Sequence, residues 1–406
     1  MRVAALVAPF FQDNTLRYLR ALCALPVRAV VISQDPVDKL PADIRARLAG
    51  HYRVGDCLDG AQLGRACQAI GRELGPVERL LGVLEQLQLP LGQARDMASI
   101  PGMTLATARN FRDKALMKDV LRQAGIPVAR HRRVECEADV RALLDEAGFP
   151  IILKPIDGLG SRGTYRIRNE EELRNALAAL HPSVGQPLQA EEFVQGTEHT
   201  CETVTIGGQP VWHSGTRYLP GPLEVLENPW IQYCVLLPRE EDDSDFSHFK
   251  GINTSALSAL GMDTGLSHME WFRRRDGSQV VSEVGARPPG VHIMPLMSLA
   301  NDVDMIAKWT KLMVFDQFEP TQRKFAAGAA FFRGQGKGRR VRKVHGLQEA
   351  QEAVGHLVVD RQLPRVGQGA APSYEGEGYA ILKAPTTAEV ADGLKKLVSL
   401  VRVELG

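Results

Sequence analysis

The stretch GLSHMEWFRRRDGSQVVSEVGARPPG, residues 265–290, carries the strongest structural signal in this sequence. Asp276-Gly277 lies between two runs rich in β-branched and aromatic residues, a pattern that predicts a β-hairpin. A two-residue turn there pairs Arg275 with Ser278, and the same register places Glu270 opposite Glu283. Opposed side chains on paired strands lie about 5 Å apart, and like charges there repel. The pattern predicts a cation between the two glutamates; the alternatives are two surface glutamates in an ordinary hairpin, or a different turn that breaks the register.

The residues that follow the second glutamate favour the first of these interpretations. Arg287 comes four residues after Glu283, and Pro288-Pro289-Gly290 then turns the chain. Carboxylate oxygens are the ligands that Mg²⁺ prefers, and Mg²⁺ commonly accompanies a nucleotide phosphate. An arginine beside a bound phosphate suits an acyl-phosphate or a substrate carboxylate. This end of the hairpin is therefore interpreted as a phosphate-handling site.

Composition narrows the class of protein. With 406 residues, of which 44% are hydrophobic and 24% charged, the chain is expected to form several globular domains. A net charge of +1 predicts no general attraction to nucleic acid or to an anionic membrane, and no apolar run is long enough to span a bilayer. The basic stretch 333–343 has no aromatic residues interleaved with it, which favours a solvated loop over an RNA site.

Cysteine usage bears on the compartment. The six cysteines include no C-x-x-C pair, so neither a zinc site nor a disulfide framework is indicated. A reducing cytoplasm is the expected location.

The chain divides into three segments by pattern. Residues 1–104 alternate strands and helices: Val3–Val7 and Arg28–Ser33 read as strands around an amphipathic helix, which predicts a parallel βαβ unit without a G-x-G-x-x-G fingerprint. Residues 105–324 open with a helical run over Leu105–Ala124 and contain the hairpin. Residues 325–406 read as a compact α+β unit that ends in a helix with Thr387 as candidate N-cap.

Lysines next to a glycine-rich loop are the second chemical signal. Lys154 ends the apolar run Ile151-Ile152-Leu153, where a charge is costly unless it meets an anion. The loop GLGSRG, residues 158–163, follows it and can close backbone N–H groups over phosphates. The alternative is a surface lysine beside a mobile turn. Lys114 lies in a polar helix, and only this context makes it a candidate phosphate-binding residue.

The segment AEEFVQGTE, residues 190–198, reads as a strand, a turn and an acid. Phe193 and Val194 offer backbone groups and apolar walls to a base, and Glu198 offers a carboxylate to ribose hydroxyls. An ordinary strand end with exposed acids remains the alternative.

Taken in order, these pieces resemble the ATP-grasp superfamily. The resemblance covers nearly the whole chain: Lys114 with Gly125-Ile126-Pro127, Lys154 with its glycine loop, the hinge near 191–198, and Glu270, Glu283 and Arg287. It implies an α/β and α+β multidomain protein in which a half-Rossmann-like pre-ATP-grasp domain (1–104), an ATP-grasp domain (105–324) and a C-terminal α+β domain (325–406) follow one another. The C-terminal segment looks like those of L-amino-acid ligases and biotin-carboxylase-like members.

The resemblance also implies roles for individual residues. The nucleotide-binding residues are Lys114 and Lys154 at the α- and β-phosphates, Gly160, Ser161 and Gly163 in a lid, Glu191 at the adenine amino group, Phe193 and Val194 at the ring, and Glu198 at the ribose. Glu270 and Glu283 would hold Mg²⁺, for which Mn²⁺ can substitute. Arg287 would act with Lys154 in catalysis by holding the acyl-phosphate.

One position departs from the family pattern. An asparagine usually stands two residues after the second glutamate, where this chain has Gly285. A second Mg²⁺ would then depend on Glu283 and phosphates, or bind more weakly.

The implied reaction joins a small carboxylate to an amine, with ATP consumed and amino acids as the favoured substrates. His268 and Gly290 are candidate substrate contacts beside Arg287, and His213, His292 and Tyr218 are further candidates. Two alternatives stay open: bicarbonate activation as in biotin carboxylases, and a catalytically silent nucleotide-binding module. A homodimer is expected by resemblance only.

Overall fold

The computed structural model describes residues 1–158, 163–228, 231–240, 244–371, 373 and 375–406, with the backbone only at 244–245. The predicted lid residues Gly160 and Ser161 lie outside the described residues. Within these ranges, no helix is both long and apolar enough to cross a membrane.

The N-terminal segment forms a four-stranded parallel sheet in the order β3-β2-β1-β4. Strand β1 is fully buried, and its pairing with β2 confirms the predicted parallel βαβ unit. The elements are β1 (Val3–Val7), α1 (Asp13–Cys23), β2 (Arg28–Ser33), α2 (Ala42–Arg45), β3 (Gly50–Arg53), α3 (Gly60–Leu74), β4 (Val77–Leu81) and α4 (Gln88–Ala98).

A second, antiparallel sheet in the order β5-β8-β6-β7 carries the strand lysine Lys154. The helical run predicted over Leu105–Ala124 is interrupted at Asp113, whose side chain caps the second of two helices by accepting the N–H groups of Ala115 and Leu116. The elements are α5 (Leu105–Arg112), α6 (Lys114–Gln123), β5 (His131–Val134), α7 (Glu137–Ala147), β6 (Ile151–Pro155), β7 (Tyr165–Ile167), α8 (Glu170–Leu180) and β8 (Leu188–Glu192).

The largest sheet has eight antiparallel strands in the order β13-β12-β9-β10-β11-β14-β18-β17, and a small sheet has the order β15-β19-β16. The elements are β9 (Gly196–Ile206), β10 (Gln209–Leu219), α9 (Pro222–Glu227), β11 (Tyr233–Leu237), α10 (Ser244–Leu260), β12 (Gly265–Arg274), β13 (Gln279–Gly285), α11 (Ile293–Asn301), α12 (Met305–Phe315), β14 (Ala326–Phe332), β15 (Gly334–Gln335), β16 (Val341–His345), α13 (Leu347–Val354), β17 (Val358–Gln362), β18 (Gly378–Ala384), α14 (Thr387–Leu400) and β19 (Arg402–Leu405).

Strands from both sides of the predicted boundary between residues 324 and 325 pair with each other. Strand β14 pairs along its length with β11, for example Ala330 with Cys234, so strands after residue 325 continue the sheet that carries the hairpin. The N-cap of the last helix lies one residue earlier than predicted, since Thr386 caps α14 in a capping box with Glu389. The expectation of Thr387 as the cap is wrong, and its hydroxyl instead accepts the N–H of Arg239.

His213 lies inside this large sheet, away from the glutamate hairpin. It faces Thr203 across β9 and β10, with 3.0 Å between its Nδ1 and the threonine Oγ1, and Asn253 donates to the same oxygen at 2.7 Å. Burial lowers the pKa of His213 to about 4, and nearby Lys250 acts in the same direction.

Replacing His213 with glutamine should reduce the acid sensitivity of the fold. Because the folded-state pKa lies below the unfolded value of about 6.5, the neutral ring stabilises the fold at neutral pH, and this contribution is lost as the pH falls from about 6.5 towards 4. Urea unfolding at pH 7 and pH 5 should show that His213→Gln loses about 1–2 kcal/mol less than the wild type over this interval. The exposed His181→Gln is the control, and equal losses in both variants would contradict the expectation.

Candidate active site

The hairpin places Glu270 and Glu283 directly opposite each other, as predicted, although the turn differs. Arg274 donates its N–H to the carbonyl of Ser278 at 2.8 Å, which leaves a three-residue turn that ends at Gly277 with φ +85°. The predicted two-residue turn and the Arg275–Ser278 pair are therefore wrong.

A β-bulge at Ser282 restores the predicted register. Trp271 pairs with Val281, whereas Glu270 pairs with Glu283, so one extra residue is inserted in β13. The three-residue turn and the bulge shift the pairing by one residue each in opposite senses, and the two glutamates meet.

Glu270 is held from one side by a buried histidine. His268 lies between two carboxylates: its Nδ1 is 2.8 Å from Oε1 of Glu202, and its Nε2 is 3.7 Å from Oε1 of Glu270. Burial alone would lower the pKa of His268, but the bonds to Glu202 and Glu270 raise it to about 9. Tyr218 donates its hydroxyl to Glu270 at 3.3 Å. Burial opposes ionisation of Glu270, but His268, together with Lys154 and Arg287, lowers the pKa of that carboxyl.

Glu202, which the sequence reasoning missed, is fully buried on β9. It is the direct cross-strand partner of His268. The signal that could have found it is the register between β9 and β12, which no local pattern reveals.

Lys114 approaches the other glutamate. It is the first residue of α6, and its Nζ lies 2.9 Å from Oε1 of Glu283 and 2.9 Å from the carbonyl oxygen of Gly158. The start of this helix therefore links the hairpin to the first residue of the glycine-rich loop.

Lys154 and Glu191 belong to a buried network that includes a lysine absent from the prediction. The Nζ of Lys154 lies 2.6 Å from Oε1 of Glu191, and the Nζ of Lys118, which is 1% exposed, lies 2.5 Å from Oε2. Burial opposes ionisation of Glu191, but the two lysines hold the pKa of this carboxyl well below its usual range. Gln189 donates to the same carboxylate at 2.8 Å. Lys118 follows Lys114 by one helical turn, a spacing that could have identified it.

Arg287 is positioned by a residue from the N-terminal segment. Its Nη2 lies 2.6 Å from Oε2 of Glu85, which follows β4, and its Nη1 donates to the carbonyl of Pro288 at 2.9 Å. Glu85 also pairs with Arg112 at 3.2 Å. Burial opposes the charged form of Arg287, yet Glu85 raises the pKa of its guanidinium. Burial also opposes ionisation of Glu85, yet Arg287 lowers the pKa of that carboxyl. Sequence reasoning missed Glu85, because the contact joins distant parts of the chain.

The segment 193–198, which follows β8, contains the predicted site residues Phe193, Val194 and Glu198. The Phe193 ring lies 4.3 Å from the guanidinium carbon of Arg166, and its N–H donates to the carbonyl of Pro150 at 3.2 Å. Glu198 lies against Gly221, and burial together with the nearby Glu270 raises the pKa of its carboxyl.

These side chains converge on one cleft, called here the central cleft. Gly163 is described, with φ +70° against Pro155, but it does not line the cleft. The predicted site residues that line it are Lys114, Lys154, Glu191, Phe193, Val194, Glu198, His268, Glu270, Glu283, Arg287 and Gly290.

The carboxylates of the hairpin fit a magnesium ion that also binds phosphates. Among the described residues, no group of three or more His, Cys, Asp or Glu side chains is arranged to hold a metal ion. Mg²⁺ is commonly held by only one or two carboxylates, with substrate phosphates and waters completing its shell. Gly285, directly opposite His268, adds no side chain to this donor set.

Comparison with known proteins finds similar sequences and a similar fold. Residues 119–292 match the family model described as ATP-grasp domain. The chain is 25% identical over 348 residues to the uncharacterized protein y4rH of Sinorhizobium fredii, a match that covers 81% of this chain and 67% of that protein. It is 22% identical over 325 residues to the L-arginine-specific L-amino acid ligase of Bacillus subtilis, with 79% and 78% covered.

A solved structure shares the complete fold. The L-amino acid ligase from Bacillus licheniformis superimposes with a TM-score of 0.78 at 18% identity, covering 100% of this chain and 99% of that chain. The matched domain and the shared fold show that this chain contains an ATP-grasp domain and has the fold of ATP-dependent ATP-grasp ligases.

Proposed function

We propose that this ligase activates a carboxylate as an acyl-phosphate and joins it to an amine, with amino acids as substrates. The observation that carries the proposal is the convergence of Glu270, Glu283, Lys154 and Arg287 in the central cleft. The L-amino acid ligases among its sequence relatives and structural neighbours support amino-acid substrates.

Lys114 and Lys154 are proposed to bind the phosphates of ATP. Each is nearly buried and already paired with a carboxylate, Glu283 or Glu191, so its charge is held in place without ATP. Phosphate oxygens approaching Lys114 would take over the contact that Glu283 makes in this structure. That exchange frees Glu283 to bind a metal ion.

Glu270 and Glu283 are proposed as the magnesium ligands. His268 and Tyr218 orient Glu270 through its Oε1, which leaves Oε2 available. Bound there together with the phosphates, Mg²⁺ would neutralise charge on the transferring phosphoryl group.

The base and ribose are assigned to the part of the central cleft near residues 191–198. Glu191, Phe193 and Val194 would surround the adenine and Glu198 the ribose hydroxyls, since all four line the central cleft. Glu191 already accepts bonds from two lysines and Gln189, so the adenine amino group would have to use its remaining lone pair.

The reaction then needs two displacements. A carboxylate oxygen attacks the γ-phosphorus and ADP departs; the amine nitrogen next attacks the acyl carbon, phosphate departs with the C–O bond electrons, and the nitrogen loses a proton. Such chemistry depends on positioning and charge stabilisation more than on a protein nucleophile. Arg287, fixed by Glu85, would hold the acyl-phosphate, with His268 and Gly290 nearby.

The direct test is ADP and phosphate release from Mg-ATP across a matrix of amino acids, with mass spectrometry of the products. We expect release that requires both a carboxylate and an amine, and a product lighter by one water than its parts. Release that requires bicarbonate in place of an amino acid would overturn the proposal in favour of a carboxylase.

Glu283→Gln should weaken metal binding and turnover together. Weakening the metal ion removes part of the stabilisation of developing negative charge, and losses of that kind commonly lower kcat by about 10²–10³. Electron paramagnetic resonance of Mn²⁺ with a non-hydrolysable ATP analogue should show weaker binding, while the exposed Glu171→Gln behaves as wild type. Unchanged Mn²⁺ affinity despite lost turnover would remove Glu283 from the metal site.

The effects of substitutions at Lys118 and Glu191 on the free energy of unfolding should be strongly coupled. Lys118→Met leaves Lys154 as the only cation on Glu191, which should hold Lys154 away from phosphate and raise the KM for ATP more than it lowers kcat. Glu191→Gln leaves two buried lysines unpaired and should be destabilising by about 3–5 kcal/mol. A double-mutant cycle in urea should give a coupling of at least about 1 kcal/mol; additive effects would argue against the network.

A further inference from the structure

A second cavity, called here the side cavity, adjoins the central cleft behind Arg287. It has a volume of about 600 Å³ and lies between β4 and α4, the segment 101–107, and the loops at 206–207 and 261–266. Arg287 lines both the central cleft and the side cavity. A molecule with one end at Arg287 can therefore extend away from the nucleotide into this space.

Arg95 places a buried positive charge on the wall of the side cavity. It is 9% exposed, and its guanidinium donates to the carbonyl oxygens of Leu80 at 2.7 Å and Met103 at 3.1 Å. Those are its hydrogen bonds within the described part of the chain, where no carboxylate forms an ion pair with it. A buried charge normally has a counter-ion. An arginine has five N–H donors, so this one retains donors for a ligand.

Gln88 presents an unsatisfied amide to the same space. It is 7% exposed, and neither its Nε2 nor its Oε1 has a hydrogen-bond partner among the residues that the structure describes. It precedes Arg95 by seven residues on α4, which puts both side chains on one face of the helix. Buried amides are almost always bonded, so this group points to a ligand that both accepts and donates hydrogen bonds.

We propose that the side cavity binds the body of the acid substrate, and that this acid carries a second anionic group, as a dicarboxylic acid or acidic amino acid does. This inference rests on the proposed ligase function. The reacting carboxylate lies at Arg287 and the second carboxylate at Arg95, where the Nε2 of Gln88 also donates to it. The Oε1 of Gln88 accepts from an ammonium or amide of the same molecule. Leu91, Leu266 and Trp309 supply apolar walls for the carbon chain between them.

Binding can be measured without turnover, on the full chain and without ATP. Glutarate and pentanoate have the same chain length and differ in the second carboxylate. Calorimetry and thermal shift at matched ionic strength should show glutarate bound and raising Tm, and pentanoate bound at least tenfold more weakly. Equal binding, or no binding of either acid, would overturn the inference.

Gln88→Met tests the site itself. Because the amide has no partner, its replacement should leave the ligand-free Tm unchanged or higher, while glutarate affinity falls at least tenfold. Gln93→Met is the matched control, since Gln93 lies on the same helix but does not line the cavity. A lower ligand-free Tm with unchanged glutarate affinity would make Gln88 structural and overturn the inference. Arg95→Gln, if it folds, should lose the preference for glutarate.

The two proposals fail in different ways. Glutarate binding that Gln88→Met abolishes, together with no ADP release for any acid and amine, would leave the side cavity as an anion site and remove the ligase reaction. Amide formation from monocarboxylic amino acids, with the KM for the acid unchanged in Gln88→Met, would keep the ligase and overturn the substrate assignment.

Discussion

Glu270 and Glu283 repel each other as direct neighbours on paired strands, and the surrounding charges are arranged to offset that repulsion. Lys114 meets Glu283 from the start of α6, and His268 meets Glu270 from two residues earlier on β12. The first residue of a helix and a buried histidine thus both contact this carboxylate pair. Any metal that joins the pair enters a site where the acids are already oriented.

Acidic and basic side chains also alternate elsewhere in and around the central cleft. Glu202, His268 and Glu270 form one series, and Lys118, Glu191 and Lys154 form another. Partly satisfied buried networks are costly, whereas complete ones hold their members rigidly. These ion pairs hold Lys114 and Lys154 in place, and under the proposed function phosphate oxygens would replace the contact of Lys114 with Glu283. Electrostatic preorganisation of this kind can lower a barrier without a nucleophile from the protein.

The sequence predicted the elements that depend on neighbouring residues. The strand of Lys154, the parallel β1–β2 unit and the facing glutamates all followed from local patterns. The glutamate register was correct only because the three-residue turn and the bulge at Ser282 cancel, and neither was anticipated. Local reasoning could not reach Glu202 or Glu85, whose roles depend on the β9–β12 register and on packing across about 200 residues. Lys118 did have a local signal, one helical turn after Lys114.

Through the Glu85–Arg287 ion pair, a residue of the N-terminal segment positions an arginine that lines the central cleft. Glu85 follows strand β4, and Arg287 follows strand β13, so the contact fixes the end of the hairpin against a separate sheet. The arginine held in this way lines the central cleft on one side and the side cavity on the other. Because α4 and β4 also form walls of that cavity, the packing that positions Arg287 also shapes the space that is proposed for the rest of the acid. Arg287 would then both help to select the acid and stabilise its activated form. An acid that fits the side cavity poorly would also be poorly placed for attack on ATP.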